Sequence, residues 1–334
     1  MIRKASELNE HKRFRVLLYG VPGIAKSTTG LSAPNPIMID TDGGWDRIPV
    51  QHRRGSYIQP ETYDEILSDL TAENVADFET LVFDTGGTLL DLMKTWAIKK
   101  NPTNGQKDGS TLSMRGYGAI GAEFSRLMEY CFFTLKKHIV VIFHAREDKD
   151  GESKVFRVDV EGQTARNIWK DMDIGGFMEA IRDTRVIGFT PTDRYFAKGT
   201  HGITGVIEIP NVMKPGVAND FLVTLFAKIN QNIKEESSVV EEYDKLMVMV
   251  RNIVETVTSA ETANQAALKL SELKYVFSAK AEAWHMLKAR ATLCGLAYSK
   301  EKGWEGSSHE KKVIHEHGNS LKKDMQGALG GDDK

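Results

Sequence analysis

Eight consecutive residues, Gly20-Val21-Pro22-Gly23-Ile24-Ala25-Lys26-Ser27, have the types and spacing of a phosphate-binding loop. Such a loop aims backbone N–H groups at phosphate oxygens and adds the positive end of a helix. It also supplies a lysine for the β- and γ-phosphates and a hydroxyl for Mg²⁺. Lys26 and Ser27 take those parts here, Thr28 backs up the serine, and Ala25 stands where the pattern has its second glycine. Mg²⁺ also needs a carboxylate at the end of a parallel strand. Leu81-Val82-Phe83-Asp84-Thr85 offers Asp84, so the ligand expected is ATP with Mg²⁺, the metal residues being Ser27 and Asp84.

Asp84 is followed by Thr85-Gly86-Gly87 and not by glutamate, so a carboxylate that activates water must come from another strand. The strand end Ile39-Asp40-Thr41-Asp42-Gly43-Gly44 is the nearest supplier, with Asp40 reading as structural and Asp42 equally readable as a turn residue.

Positioning these groups requires strands alternating with helices. Apolar runs at 14–19, 36–40, 79–84 and 138–144 read as buried strands, and apolar periodicity at 61–70, 88–99, 121–137 and 218–233 reads as helices. The turn-rich stretch 100–118 is too long for a simple connection. Residues 154–160 alternate as a hairpin arm, and 174–198 reads as short antiparallel strands. From Ser237 the pattern is helical only, with Thr258-Ser259-Ala260-Glu261 as a capping box and Gly295 as a helix stop. The expected organisation is an α/β core over 1–234 with a mainly parallel sheet flanked by helices, a small all-α appendage over 235–300 and a flexible tail over 301–334.

With 334 residues, 41% hydrophobic and 27% charged, the chain has the make-up of an ordinary globular protein and needs no staple to fold. A net charge of −2 excludes a bulk electrostatic pull on nucleic acid, so such binding would need locally clustered cations. The two cysteines, Cys131 and Cys294, read as buried hydrophobes in a reducing compartment. The amino end lacks a signal-peptide core and no apolar run is long enough for a bilayer, which points to the cytoplasm and away from a membrane partner.

Four places, the phosphate loop, Ile39-Asp40-Thr41-Asp42-Gly43-Gly44, Leu81-Val82-Phe83-Asp84-Thr85 and Val140-Val141-Ile142-Phe143-His144, resemble the RecA-like P-loop ATPases. Over about residues 13–230 the chain resembles more closely the compact bacteriophage members that act as single-strand annealing recombinases. The resemblance implies that Asp42, where the family usually has glutamate, activates the attacking water, and that His144 senses the γ-phosphate and relays it to a following DNA-binding loop. It also implies a basic residue donated by a neighbouring subunit, with Lys198 the first candidate and Arg194 the second.

DNA binding is implied through two loops, one offering Lys99, Lys100, Lys107, Arg115 and Tyr117, the other Arg146, Lys149, Lys154, Arg157 and Arg166. Asp108, Glu147, Asp148, Asp150 and Glu152 interleave with them, so the same stretches read equally as solvated loops. The activity implied is an ATPase that assembles as a filament or ring on single-stranded DNA and promotes annealing or strand exchange in the host bacterial cell. The alternatives are a nucleotide-dependent loader acting on a replication or single-strand-binding protein and, least well fitted, a small-molecule kinase.

Overall fold

The structure, a computed structural model, describes residues 13–306 apart from Glu152 and Glu161, with the backbone alone described at 150, 153, 162 and 163. Two compact units make up the described chain, the first running to Ile233 and the second from Lys234.

The first unit contains, in chain order, β1 (Arg15–Gly20), α1 (Lys26–Gly30), β2 (Pro36–Asp40), β3 (Ser56–Ile58), α2 (Tyr63–Asp69), β4 (Thr80–Asp84), α3 (Gly86–Lys100), α4 (Met114–Glu129), β5 (His138–Asp150), β6 (Ser153–Val158), α5 (Gly162–Asp171), β7 (Ile174–Ile181), β8 (Thr184–Gly188) and β9 (Val206–Glu208). Among the described residues these nine strands form one sheet in the order β3-β2-β4-β5-β1-β7-β8-β9, with β6 paired to β5. Every pairing from β3 to β7 is parallel. β8 and β9 run antiparallel.

A parallel sheet must be covered on both faces, and the strand residues divide accordingly. Leu17, Tyr19, Ile39 and Phe83 pack with Ile66, Met93, Phe124 and Ile168 from α2 to α5. Val16, Leu18, Met38 and Val82 face the other way, against Ile24, Leu31 and residues Phe221 to Ile233 of the helix that closes the unit. Because β5 lies between β1 and β4, the carboxyl ends of three adjacent strands bring Gly20, His144 and Asp84 to one edge of the sheet.

Several sequence expectations change. The stretch 174–198 is not wholly antiparallel: β7 is buried at Ile174, Phe177 and Met178 and joins β1 in parallel, and only β8 turns back. The turn-rich 100–118 stretch is held by hydrogen bonds of its own and to the end of α3. Asn104 is buried and donates its Nδ2 to the Ala97 carbonyl at 2.9 Å, and its own carbonyl accepts the Ser113 N–H. α4 begins at Met114, seven residues before the expected 121, with Ser113 as its N-cap. Glycines at 116, 118 and 121 hide the periodicity there, and at Gly116 a Cβ would come 2.1 Å from the Asn104 carbonyl oxygen.

The helix expected to stop at 233 continues as α6 (Phe221–Glu255). Beyond Ile233 it belongs to the second unit, with α7 (Ala260–Ser271), α8 (Ala279–Leu293) and the hairpin β10 (Leu296–Ser299) and β11 (Gly303–Gly306). The capping box is shifted by one residue: the Ser259 side chain accepts the Thr262 N–H, and the Thr262 hydroxyl in return accepts the Ser259 N–H. Gly295 follows α8 at φ 70°. The hairpin corrects the all-α reading of this unit and the tail's expected start at 301, since Trp304 is buried among Val257, Leu287 and Ala291. The remainder of the tail expected over 301–334, from 307 onward, lies outside the described residues.

Candidate active site

β1 ends at Gly20, where a Cβ would stand 2.4 Å from the Met178 carbonyl oxygen of β7, so the loop leaves a strand packed too tightly for any side chain. The turn passes Gly23 at φ 80° and Ala25 at φ 65°, and α1 starts at Lys26. Ala25 therefore adopts the left-handed backbone that glycine takes freely, which explains how a methyl fits there and what it costs, about 1 kcal/mol of backbone strain. Its carbonyl is used, accepting the Thr29 N–H and hydroxyl at 2.9 Å each.

Lys26 is buried, and its Nζ donates at 2.9 Å to the carbonyls of both Gly20 and Val21. Burial holds this amine below the ordinary lysine range, against the pull of Asp84 and Asp42. Asp84 is also buried. Burial pushes it up to about 6, opposed by the hydrogen bond from Ser27 and assisted by Asp42 and Asp40. Its Oδ2 is buried without a hydrogen-bond partner. A carboxylate oxygen left unpaired beside a hydroxyl is what a water-sheathed Mg²⁺ would use, and a nearby dication favours the ionised form. Among the described residues no cluster of three or more His, Cys, Asp or Glu could hold a metal alone, so Ser27 and Asp84 fit a metal that takes its other ligands from phosphate and water.

A cavity of about 510 Å³ joins the loop residues Pro22, Gly23, Ala25, Lys26, Ser27 and Thr28 to Asp42, Asp84 and His144. Asp42 is held by Arg47, whose Nη2 lies 3.0 Å from each carboxylate oxygen. Asp40 does not enter the cavity. Its carboxylate accepts the N–H groups of Gly44 and Trp45 and the Gln59 amide, which fixes the turn that aims Asp42. His144 has a buried Nδ1 without a hydrogen-bond partner. Burial first, and then the Lys26 charge, lowers its pKa, so the imidazole is neutral at pH 7. Its side chain also borders a second cavity of about 450 Å³, with Thr88, Asp91, Thr111, Tyr117 and Asp159.

Lys198 does not join the phosphate cavity of its own chain. Its Nζ donates to the carbonyls of Trp169 and Met172, and Arg194 is paired with Glu179 at 3.0 Å. Instead Lys198 borders a third cavity, of about 790 Å³, together with Arg146, Arg157, Arg166, Trp169, Lys170 and Phe196. No carboxylate lines it, although Asp148 at its margin pairs with Arg146 at 2.8 Å and approaches Arg157 at 3.5 Å.

The other expected DNA contacts are scattered. Lys107, Arg115 and Lys149 are exposed, as is Lys99 at the end of α3. Lys100 lies over the Trp96 ring, and Lys154 pairs with Glu147. Residues the sequence reading did not select for the site are Arg47, Arg185, Trp169, Lys170 and Phe196. Their only common sequence signal is a position near a strand or helix end, which is too weak to single them out.

A family model described as an AAA domain matches residues 12–201, the span that holds the phosphate loop, Asp42, Asp84 and His144. No curated protein matches the chain. No helix among the described residues is long and apolar enough to cross a membrane.

Proposed function

This chain belongs to the AAA domain family of ATPases, and from that premise we propose that it hydrolyses ATP in response to single-stranded DNA and assembles on that DNA to promote annealing or strand exchange. Lys26 and the loop N–H groups bind the phosphates, while Ser27 and Asp84 would hold Mg²⁺, which when bound would supply charge neutralisation for phosphoryl transfer. Asp42 takes the proton of the attacking water. His144, neutral and with a free nitrogen, reports the γ-phosphate.

The observation that carries the DNA half of this reading is the third cavity. Three arginines and two lysines surround Trp169 and Phe196, the latter 51% exposed, and the two rings meet edge-on at 4.7 Å. Cations for phosphates beside aromatic faces for bases are the requirement for single-strand binding without sequence preference. Arg146 sits on β5 two residues after His144, so a ligand there bears on the strand that carries the sensor. Assembly as a filament or ring in a bacterial host cell, as in phage recombination, follows from the resemblance of the sequence to the annealing recombinases.

The test measures ATP hydrolysis with and without single-stranded DNA and images the same samples. Stimulation with filaments or rings is the expected result, and absence of both would sink the DNA-dependent reading. Lys26→Ala should abolish hydrolysis under every condition, which checks the site independently of the DNA.

A further inference from the structure

We propose that Arg185 binds the γ-phosphate from within the same chain and is the residue by which this site prefers ATP to ADP. The inference rests on the reading of the phosphate loop as a nucleotide site. It assigns within one chain a charge that sequence resemblance would draw from a neighbouring subunit.

Strand register places the residue. Gly20 of β1 pairs with Met178 of β7, and Met178 pairs with Ile187 of β8. Arg185 precedes Ile187 by two residues on the antiparallel strand, so it lies beyond the level of Gly20 on the loop side of the sheet. Side chains two apart on a strand share a face. Ile187 packs in the cluster that contains Ile24 of the phosphate loop, so Arg185 projects from the face that carries the loop. Its side chain lines the cavity shared by Lys26, Ser27, Asp84 and His144.

The charges in that cavity are unequally engaged. Lys26 is bonded to the Gly20 and Val21 carbonyls, and Arg47 is bonded to Asp42. Arg185 is half-buried and, among the described residues, has no hydrogen-bond or ion-pair partner for its guanidinium. Its cross-strand neighbours give it none: Ala180 pairs with it on β7, and Ile209 donates its N–H to the Arg185 carbonyl on the other side. Asp42 and Asp84 line the same cavity, but neither is paired with Arg185; a guanidinium kept there without a partner is matched to an added anion, and its planar fork suits phosphoryl oxygens. The loop N–H groups serve the α- and β-phosphates and Lys26 bridges the β- and γ-phosphates, so the γ-phosphate, which carries the most charge and has the least backbone cover, is the anion that Arg185 meets.

The experiment compares binding of ADP and of a slowly hydrolysed ATP analogue to the full chain, in the presence of Mg²⁺, by calorimetry. Arg185→Ala should weaken the analogue by about 10- to 100-fold, the size of a lost charged hydrogen bond, and leave ADP within about twofold. Arg185→Lys should recover part of the loss, and it covers the case in which the alanine variant does not fold. Equal weakening of both ligands, or of neither, would overturn the assignment. A wild-type chain that binds neither ligand would instead remove the nucleotide reading, and this inference with it.

Discussion

Gly20, the last residue of β1, is the register partner of His144 on the adjacent parallel strand β5, so the first residue of the loop stands beside this imidazole. His144 and Thr85 line both the loop cavity and the cavity bordered by Thr111 and Tyr117. No other residue stands between the two cavities at this imidazole, which makes it the place to test for coupling.

His144→Ala is expected to retain ATP binding and lose DNA stimulation by on the order of tenfold, the rate equivalent of one hydrogen bond near 1.4 kcal/mol. Steady-state hydrolysis at saturating ATP, with and without single-stranded DNA, checks this. Full stimulation in the variant would remove His144 from the coupling.

Asp42→Asn should keep ATP affinity and lower turnover by about 10²- to 10⁴-fold, the usual range for loss of a general base. Arg47→Ala should cost far less, up to about fivefold, because exposed ion pairs contribute ~1 kcal/mol or less. Single-turnover hydrolysis ranks the two, and an Asp42→Asn protein with unchanged turnover would move the base elsewhere.

Two substitutions in the loop should differ in stability. Gly20→Ala forces a methyl against the Met178 carbonyl oxygen and should destabilise by roughly 1–3 kcal/mol. Ala25→Gly relieves a left-handed backbone but adds freedom to the unfolded chain, so the opposing terms leave a net change within about 1 kcal/mol. Denaturant midpoints decide the matter, and a large loss from Ala25→Gly would contradict the strain described for this position.

His138, at the start of β5, gives the protein an acid-sensitive limb. Its Nδ1 accepts the Phe14 N–H at 3.1 Å and its ring stacks on Phe226 at 4.7 Å. Burial, helped by the Arg13 charge, holds its pKa down to about 4. A depressed folded value means that stability is complete above the unfolded value of about 6.5 and is lost as the pH falls towards 4, by roughly 3 kcal/mol. His138→Asn keeps an acceptor and should flatten this limb between pH 6.5 and 4.5 in urea unfolding. An equally steep decline in the variant would place the titrating group elsewhere.

Sequence alone determined the parts whose chemistry is local. A phosphate loop needs its glycine, lysine and serine within eight consecutive residues, and a candidate metal aspartate needs only an apolar strand before it, so Lys26, Ser27 and Asp84, which the fold brings to one cavity, could be proposed from neighbours in the chain. Asp40 and Asp42 were separable for the same reason, since one carboxylate serves its own turn. Tertiary structure alone decided what depends on strand order and register. Arg185 reaches the loop because β8 returns beside β7 at one alignment, and a slip of a single residue would turn its side chain to the opposite face. Lys198 and Arg146, 52 positions apart in sequence, share one basic cavity because their segments converge on α5. Such proximity is set by packing between distant segments, which no spacing along the chain records.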